Sequence, residues 1–173
     1  MRYIIKSRIL KGVVTRHIET DLSIKIESAG NELRSSIHKK FGRSLHIREI
    51  DTGSCGACES EIISANNPIY DLQRFGINFV ASPRHADCLL VTGPASKNML
   101  IALKKTYEAM PEPKFVITCG DCALNGGIFK DSYYVEGAVK EIVPVVLHIP
   151  GCPPNPLVIM RTLLSFLQKG EVR

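Results

Sequence analysis

The positions of six cysteines constrain this chain of 173 residues more than any other feature of its sequence. The cysteines comprise two C-x-x-C pairs, one cysteine flanked by prolines and one in an apolar run, namely Cys55 with Cys58, Cys119 with Cys122, Cys152, and Cys88. The N-terminal residues lack the continuous apolar stretch of a secretory signal, so we expect a cytoplasmic protein. Cysteines in such a protein indicate metal or redox chemistry before they indicate a disulfide framework.

Short apolar runs alternate with segments of helical periodicity from residue 46 onward. We expect strands at residues 46–50, 77–81, 88–91, 114–118 and 142–149, where apolar runs end at turn signals. Helices are expected from about residue 59, from a cap at Ser96 as far as Pro111, and over residues 154–168 before Gly170. Cys88 lies within a predicted strand and should belong to the core. This alternation predicts an α/β fold with three layers around a largely parallel sheet.

The N-terminal segment differs from the rest in charge and periodicity. Residues 1–49 contain 11 Lys and Arg against 5 Asp and Glu, whereas the remainder contains 11 against 12. We interpret residues 1–45 as a basic extension that wraps around a partner, with a partly disordered tail as the alternative, and residues 46–173 as the folded domain. The sequence has no interleaved aromatic platform or zinc-finger spacing, so we expect no nucleic acid partner. No apolar run approaches the roughly 20 residues of a transmembrane helix.

The predicted strands place four cysteines in loops at one edge of the sheet. Cys55 and Cys58 follow the first strand, Cys122 follows the strand at 114–118, and Cys152 follows the last strand. Parallel strands have their carboxyl ends along the same edge, where open α/β sheets bind ligands. The sequence therefore predicts a flavodoxin-like sheet with ligand loops at its C-terminal strand edge. Glycines that allow positive φ and close backbone approach lie beside these cysteines, at Gly53, Gly56, Gly120 and Gly151.

Three kinds of site are compatible with these cysteines. Four thiolates are the usual protein complement of a 4Fe–4S cluster, with one sulfur for each iron. A zinc ion would instead use the two C-x-x-C pairs and leave Cys152 without a role. A C-x-x-C pair could also form a redox-active dithiol of the thioredoxin kind. The residues alone favour the iron–sulfur cluster and leave the other two open.

Several short motifs occur in an order and at a spacing that resemble one protein family. They are Gly-Ser-Cys at 53–55 with Cys58 and Glu61, Ser-Pro-Arg-His-Ala-Asp at 82–87, Val-Thr-Gly at 91–93, Met-Pro-Glu-Pro at 110–113, Gly-Asp-Cys at 120–122 with Gly126 and Gly127, and Pro-Gly-Cys-Pro-Pro at 150–154. Residues 46–168, about seven-tenths of the chain, are similar to the small subunits of energy-converting, membrane-bound NiFe hydrogenases and formate hydrogenlyase. The wider family includes the 20 kDa subunit of complex I.

The resemblance implies which cysteines hold a cluster. In the family the third ligand follows a Gly-x pair and precedes a glycine-rich turn, which Cys122 matches and Cys119 does not. One 4Fe–4S cluster is thus expected on four residues, Cys55, Cys58, Cys122 and Cys152. The complex I branch has two adjacent cysteines at the first site, whereas here Ala57 precedes Cys58, so the spacing is the hydrogenase-like form.

The resemblance also implies an electron-transfer role within a larger complex. The cluster would be the proximal relay of a membrane-associated NiFe hydrogenase complex, and the chain would do no bond chemistry itself. Expected partners are a hydrogenase-type large subunit, a ferredoxin-like iron–sulfur subunit and membrane-embedded subunits. The chain itself would be peripheral, on the cytoplasmic side of the membrane. A quinone, sulfur or polysulfide oxidoreductase with the same cluster, and a zinc-stabilised binding module, are the alternatives.

Five further residues are candidates for roles around the cluster or at a subunit interface: Glu61, Arg84, His85, Cys119 and His148. Glu61 could assist proton movement, but we prefer to interpret it as a first-turn glutamate that complements the helix dipole. Arg84 and His85 could tune the cluster or contact a partner subunit, and Arg84 could equally cap its loop. Cys119 is expected to be a buried neighbour of the cluster, and His148 a core histidine with satisfied hydrogen bonds.

Overall fold

A computed structural model describes residues 20–170, with side chains from residue 22 onward. The helices are α1 (Thr20–Phe41), α2 (Ala57–Ala65), α3 (Leu100–Glu108), α4 (Asp121–Asn125) and α5 (Pro156–Lys169). The strands are β1 (Leu45–Asp51), β2 (Ile77–Phe79), β3 (Cys88–Thr92), β4 (Ala95–Ser96), β5 (Phe115–Cys119), β6 (Val135–Gly137) and β7 (Val145–Ile149). Short 3₁₀ helices occur at Pro83–His85, Gly127–Phe129 and Val139–Glu141. Within residues 20–170, no helix combines the length and the apolar character needed to cross a membrane.

Five parallel strands form the central sheet in the order β2-β1-β3-β5-β7. Every residue of β3 and β5 is buried, as expected when a parallel sheet is covered on both faces. β4 and β6 form a separate antiparallel pair, which the sequence analysis does not predict because each strand is only two or three residues long. The predicted three-layer, flavodoxin-like α/β fold is confirmed.

Two hydrophobic cores lie on opposite faces of the sheet. Successive strand residues point to opposite faces, so Cys88 and Leu90 of β3 belong to the core shared with α1, α2 and α5. Leu89 and Val91 belong to the second core, which also includes Leu103, the buried residue of α3. Cys88 is fully buried, and its predicted place in the core is confirmed.

Residues 20–41, which the sequence analysis assigns to a basic extension, form helix α1. Ile26, Leu33 and Ile37 recur at helical spacing and are buried in the core that α5 also lines. The residues between them are mostly polar and exposed, so the apolar stripe is narrow and the periodicity is hard to detect in the sequence. Residues 1–19 lie outside the described part of the chain, and the extension stays a prediction for them.

Helix α3 begins later than predicted. Ser96 does not cap it, because this residue is buried in β4, where its backbone N–H donates to the Thr52 carbonyl at 3.0 Å. Met99 precedes the first turn, and its side chain makes no capping hydrogen bond. The end of α5 agrees with the prediction, since Gly170 follows its last residue in the left-handed conformation.

Gly30 provides a test of how α1 packs on the domain. A Cβ at this buried position would overlap the ring of Phe75, which is itself enclosed in the core. We expect Gly30→Ala to lower the free energy of unfolding by about 1–2 kcal/mol, because overpacking outweighs a gain in helix propensity of about 1 kcal/mol. Urea denaturation followed by circular dichroism measures the change. Ser35→Ala on the exposed face of α1 is the control, expected within about 0.5 kcal/mol of wild type. A stabilised Gly30→Ala variant would contradict this packing.

Candidate metal centre

Three loops at the carboxyl edge of the sheet carry the four predicted ligands. Cys55 lies between β1 and α2, and Cys58 is in the first turn of α2. Cys122 is the second residue of α4, directly after β5, and Cys152 lies between β7 and α5. Because β1, β3, β5 and β7 are consecutive strands of the sheet, loops that are distant in sequence lie side by side.

The four sulfurs lie close enough to influence one another. Burial raises the pKa of the Cys122 thiol, and the charges of Cys152, Cys58 and Cys55 raise it further. Cys55 and Cys152 are exposed, Cys122 is partly buried and Cys58 is buried, so the group of sulfurs is open to the surface on one side. Among the described residues, no three His, Cys, Asp or Glu side chains are arranged to hold a single metal ion.

Local hydrogen bonds shape the first ligand loop. The Asp51 carboxylate accepts the backbone N–H groups of Gly53 and Ser54 at 2.8 and 2.7 Å. The Ser54 hydroxyl oxygen then accepts the Gly56 N–H at 3.0 Å, so the chain turns sharply and leaves Cys55 exposed. The positive φ predicted beside the ligands is confirmed at four glycines: Gly53 at 116°, Gly56 at 84°, Gly120 at 88° and Gly151 at 138°.

Cys58 packs tightly against the end of β5. A Cβ on Gly120 would lie 2.5 Å from Cys58 Sγ, so a larger residue would displace this sulfur. Cys119 is fully buried at the last position of β5, and its thiol donates a hydrogen bond to the Cys58 sulfur. This bond lowers the pKa of Cys58 and raises that of Cys119. Cys119 is thus a direct neighbour of a predicted ligand, and its effect on a bound cluster stays a prediction.

Arg84 and His85 lie at the opposite edge of the sheet. Both belong to the 3₁₀ helix before β3, where the His85 carbonyl lies 3.1 Å from Nδ1 of His46 near the start of β1. The Arg84 backbone N–H donates to the Ser82 hydroxyl oxygen at 3.4 Å. A five-residue strand separates the two edges by roughly 16 Å. The structure therefore does not bring Arg84 or His85 to the cysteines, and contact with a partner subunit stays a prediction.

The acidic residue in the first turn of α2 is Glu59, whereas the sequence predicts Glu61 for that position. Helix α2 begins at Ala57, so Glu61 lies beyond its first turn, and the first-turn acidic residue is Glu59 instead. Both carboxylate oxygens of Glu59 are buried and accept no hydrogen bond within the described part of the chain. Burial raises the pKa of Glu49, and the charge of Glu59 raises it further. Glu59 is a site residue that the sequence motifs do not single out, although its place directly after the predicted ligand Cys58 is a usable signal.

His148 borders the third ligand loop from β7. Its Nδ1 lies 3.0 Å from Thr118 Oγ1, and its Nε2 lies 3.8 Å from Oδ1 of Asp121. The predicted hydrogen bonding is thus satisfied at only one ring nitrogen, because Nε2 is buried without a hydrogen-bond partner in the described residues. Burial lowers the pKa of the ring. Asp121 was missed as a candidate, although a carboxylate beside Cys122 marks it in the sequence.

Acidification is expected to destabilise the fold through His148. Because the folded ring has a pKa below its ordinary value of 6.5, the unfolded chain binds the proton more readily once the pH falls below that value. Above that pH, the ring is neutral in both the folded and the unfolded chain, so His148 contributes nothing to the pH dependence of the unfolding free energy. Urea titrations near pH 7.5 and pH 5 should therefore show a smaller loss of unfolding free energy in His148→Gln than in wild type. His38→Gln, at an exposed position of α1, should match wild type. An unchanged pH dependence in His148→Gln would contradict this account.

Open α/β sheets bind ligands at the carboxyl ends of their strands, which is where this chain gathers its four predicted ligands. The family model described as NADH ubiquinone oxidoreductase, 20 Kd subunit, matches residues 55–166. The chain belongs to this family. An iron–sulfur cluster is typical of its members, and the chain is accordingly a subunit of an oxidoreductase complex.

Relatives of the chain include subunits of two hydrogen-metabolising systems. The probable membrane-bound hydrogenase subunit mbhJ of Pyrococcus furiosus is 44% identical over 131 residues, which are 76% of this chain and 78% of that protein. Formate hydrogenlyase subunit 7 of Escherichia coli is 44% identical over 124 residues, which are 72% of this chain and 49% of that protein. These relatives confirm the family resemblance inferred from the motifs and imply that the chain works with partner subunits.

A solved structure provides a third comparison. A chain of the membrane-bound sulfane sulfur reductase, an archaeal respiratory membrane complex, matches with a TM-score of 0.66 and 33% identity. The match covers 81% of this chain and 78% of that one. The fold similarity therefore extends over most of the chain.

Proposed function

We propose that this chain carries one 4Fe–4S cluster and relays single electrons in a membrane-associated hydrogenase complex. The ligands would be Cys55, Cys58, Cys122 and Cys152. The observation that carries the proposal is the meeting of three loops at one sheet edge, which places the four cysteines just beyond the carboxyl ends of β1, β5 and β7. The family to which the chain belongs supports the choice of cofactor.

The donor set suits an iron–sulfur cluster better than a zinc ion. Four cysteine sulfurs supply one thiolate for each iron of a 4Fe–4S cluster. The zinc alternative uses Cys119 in place of Cys152, but Cys119 is enclosed in the core behind Cys58. Cys152, by contrast, is exposed in the loop after β7, and its charge raises the pKa of Cys122. These two observations support Cys152 as the fourth ligand.

A bound cluster would supply one-electron chemistry, and the chain would set its position and potential. The thiol of Cys119 and the backbone N–H of Ile128 donate to the sulfurs of Cys58 and Cys122 respectively, and each lowers the pKa of the sulfur that it contacts. Donors that stabilise negative charge on a ligand sulfur also favour the reduced cluster, which carries more negative charge. Burial of Cys58 keeps water away from that side of the site.

The proposed partners follow from the hydrogenase and formate hydrogenlyase relatives of the chain. A hydrogenase-type large subunit would hold the NiFe centre, a ferredoxin-like subunit would exchange electrons with this chain, and membrane-embedded subunits would anchor the complex on the cytoplasmic side. Cys55 and Cys152 are exposed, so the open side of the site is where another redox centre can approach. The hydrogenase and formate hydrogenlyase relatives, together with the C-x-x-C spacing, support this branch of the family.

A second candidate function is electron transfer in a sulfur- or polysulfide-reducing complex. The likeness to a chain of the membrane-bound sulfane sulfur reductase favours it. The two functions differ in the large subunit, because a NiFe centre requires two cysteine pairs of its own there. Nickel analysis of the intact complex, together with assays of hydrogen evolution and sulfur reduction, separates them. Nickel with hydrogen evolution is the result we expect, and a nickel-free complex that reduces sulfur supports the second candidate.

Removing single cysteines tests the ligand set. Anaerobically purified wild type should contain about four iron and four sulfide per chain and give the low-temperature EPR signal of a reduced 4Fe–4S cluster. Changing any of Cys55, Cys58, Cys122 or Cys152 to Ala should abolish the cluster or lower its occupancy, since each would leave one iron without its thiolate. Cys88→Ala is the matched control and should retain the cluster, because this residue is enclosed in β3.

The comparison between Cys119→Ala and Cys152→Ala is decisive. A cluster on the proposed ligands survives the first change and is lost in the second. A zinc site on the two C-x-x-C pairs would show the reverse pattern, with zinc and no iron in the wild-type protein. That reversal would refute the proposed function.

A further inference from the structure

Two reciprocal hydrogen bonds join the third and fourth ligand loops. The Asp121 backbone N–H donates to the Gly151 carbonyl at 2.9 Å, and the Gly151 N–H donates to Asp121 Oδ1 at 3.0 Å. Asp121 immediately precedes Cys122, and Gly151 immediately precedes Cys152. Each bond therefore acts one residue away from a proposed ligand. We call this pair of bonds the Asp121–Gly151 clasp.

The clasp extends the pairing of two neighbouring strands. Cys119 of β5 is in register with Ile149 of β7, and the Gly120 N–H donates to the Ile149 carbonyl at 2.9 Å just beyond the end of β5. The backbone bond of the clasp is the next link in the same direction. Its second bond needs the side chain of Asp121, because only a residue with an acceptor at this position can receive the Gly151 N–H.

His148 lies beside the Asp121 carboxylate, on the side of the sheet. Nδ1 of His148 lies 3.0 Å from Thr118 Oγ1, and its Nε2 lies 3.8 Å from Asp121 Oδ1. The side chain of His148 is 19% exposed and that of Asp121 is 49% exposed, so the contact lies at the margin of the surface. The carboxylate is therefore held by the Gly151 N–H and faces the ring of His148.

We propose that Asp121 is a positioning residue that sets the separation of Cys122 and Cys152 before a cluster binds. The inference rests on the proposed function, because the two cysteines require a fixed separation only as ligands of one cofactor. Ligands that are already in place lose less conformational entropy on binding, so the complex forms more readily and dissociates more slowly. Loss of the side-chain bond should therefore shorten the lifetime of the cluster.

Paired substitutions at Asp121 separate this role from a general structural one. Asp121→Asn keeps an oxygen acceptor for the Gly151 N–H, whereas Asp121→Ala removes it. In the anaerobic full-length chain challenged with an iron chelator, Asp121→Ala should lose its visible absorbance about ten- to a hundredfold faster than wild type. Asp121→Asn should restore the lifetime to within about threefold of wild type. Glu108→Ala, at an exposed position of α3 away from the ligand loops, is the control.

Hydrogen exchange tests the clasp independently of the cluster. In the metal-free full chain, the Gly151 amide should exchange slowly, because the proposal requires its hydrogen bond to exist before the cofactor binds. Exchange at the rate of an unprotected amide would overturn the proposal even if Asp121→Ala does not fold. Equal cluster lifetimes in wild type and Asp121→Ala would also overturn it. A wild-type protein without iron would refute the proposed function instead, and the exchange measurement would still decide whether the clasp exists.

Discussion

The hydrogen-bonded register of the parallel strands is the constraint on which the site depends. Asp51 of β1, Thr92 of β3, Cys119 of β5 and Ile149 of β7 are paired in succession across the sheet. The strands that carry ligand loops therefore end at the same level, and each loop leaves the sheet within a few residues of its cysteines. A shift of one strand by a single residue would move its loop and also reverse which side chains face each core. The buried strands β3 and β5 resist such a shift because both of their faces are packed.

The pKa of Cys58, at the carboxyl edge of the sheet, is subject to opposing electrostatic effects. The hydrogen bond from Cys119 lowers the pKa of Cys58, whereas burial and the charges of Glu59, Asp121 and Asp51 raise it. An acidic environment disfavours additional negative charge, and donors directed at the sulfurs favour it. The balance between these effects, rather than any single residue, would set the potential of a cluster bound here.

The sequence predicts those features that depend on short-range patterns. The fully apolar strands β3 and β5 and the loop positions of the cysteines could be inferred from composition and spacing alone. Helix α1 could not, because Ile26, Leu33 and Ile37 are isolated among polar residues and the helix depends on packing against α5. The cap assigned to Ser96 fails because that residue pairs with a distant segment, which a local pattern does not reveal.

The same distinction applies to the site. The positions of the cysteines and of their glycines at one sheet edge were predictable, because both residue types follow the ends of predicted strands in the sequence. The contact of Cys119 with Cys58 and the clasp between Asp121 and Gly151 arise from tertiary folding, and only the structure reveals them. His85 and Arg84 illustrate the converse, since membership of a recognisable motif does not bring a residue to the sheet edge that carries the four cysteines. Motif matching identifies residues that matter, whereas topology decides which of them meet.

Native mass spectrometry of the anaerobically purified chain tests the central claim most directly. The claim is that four cysteines from three loops bind one iron–sulfur cluster. The account predicts a single species heavier than the polypeptide by the mass of four iron and four sulfide, with four cysteines protected from alkylation and with Cys88 and Cys119 excluded from the ligand set. A species carrying one zinc ion, or a metal-free chain whose Cys55, Cys122 and Cys152 all react freely with the reagent, would contradict it.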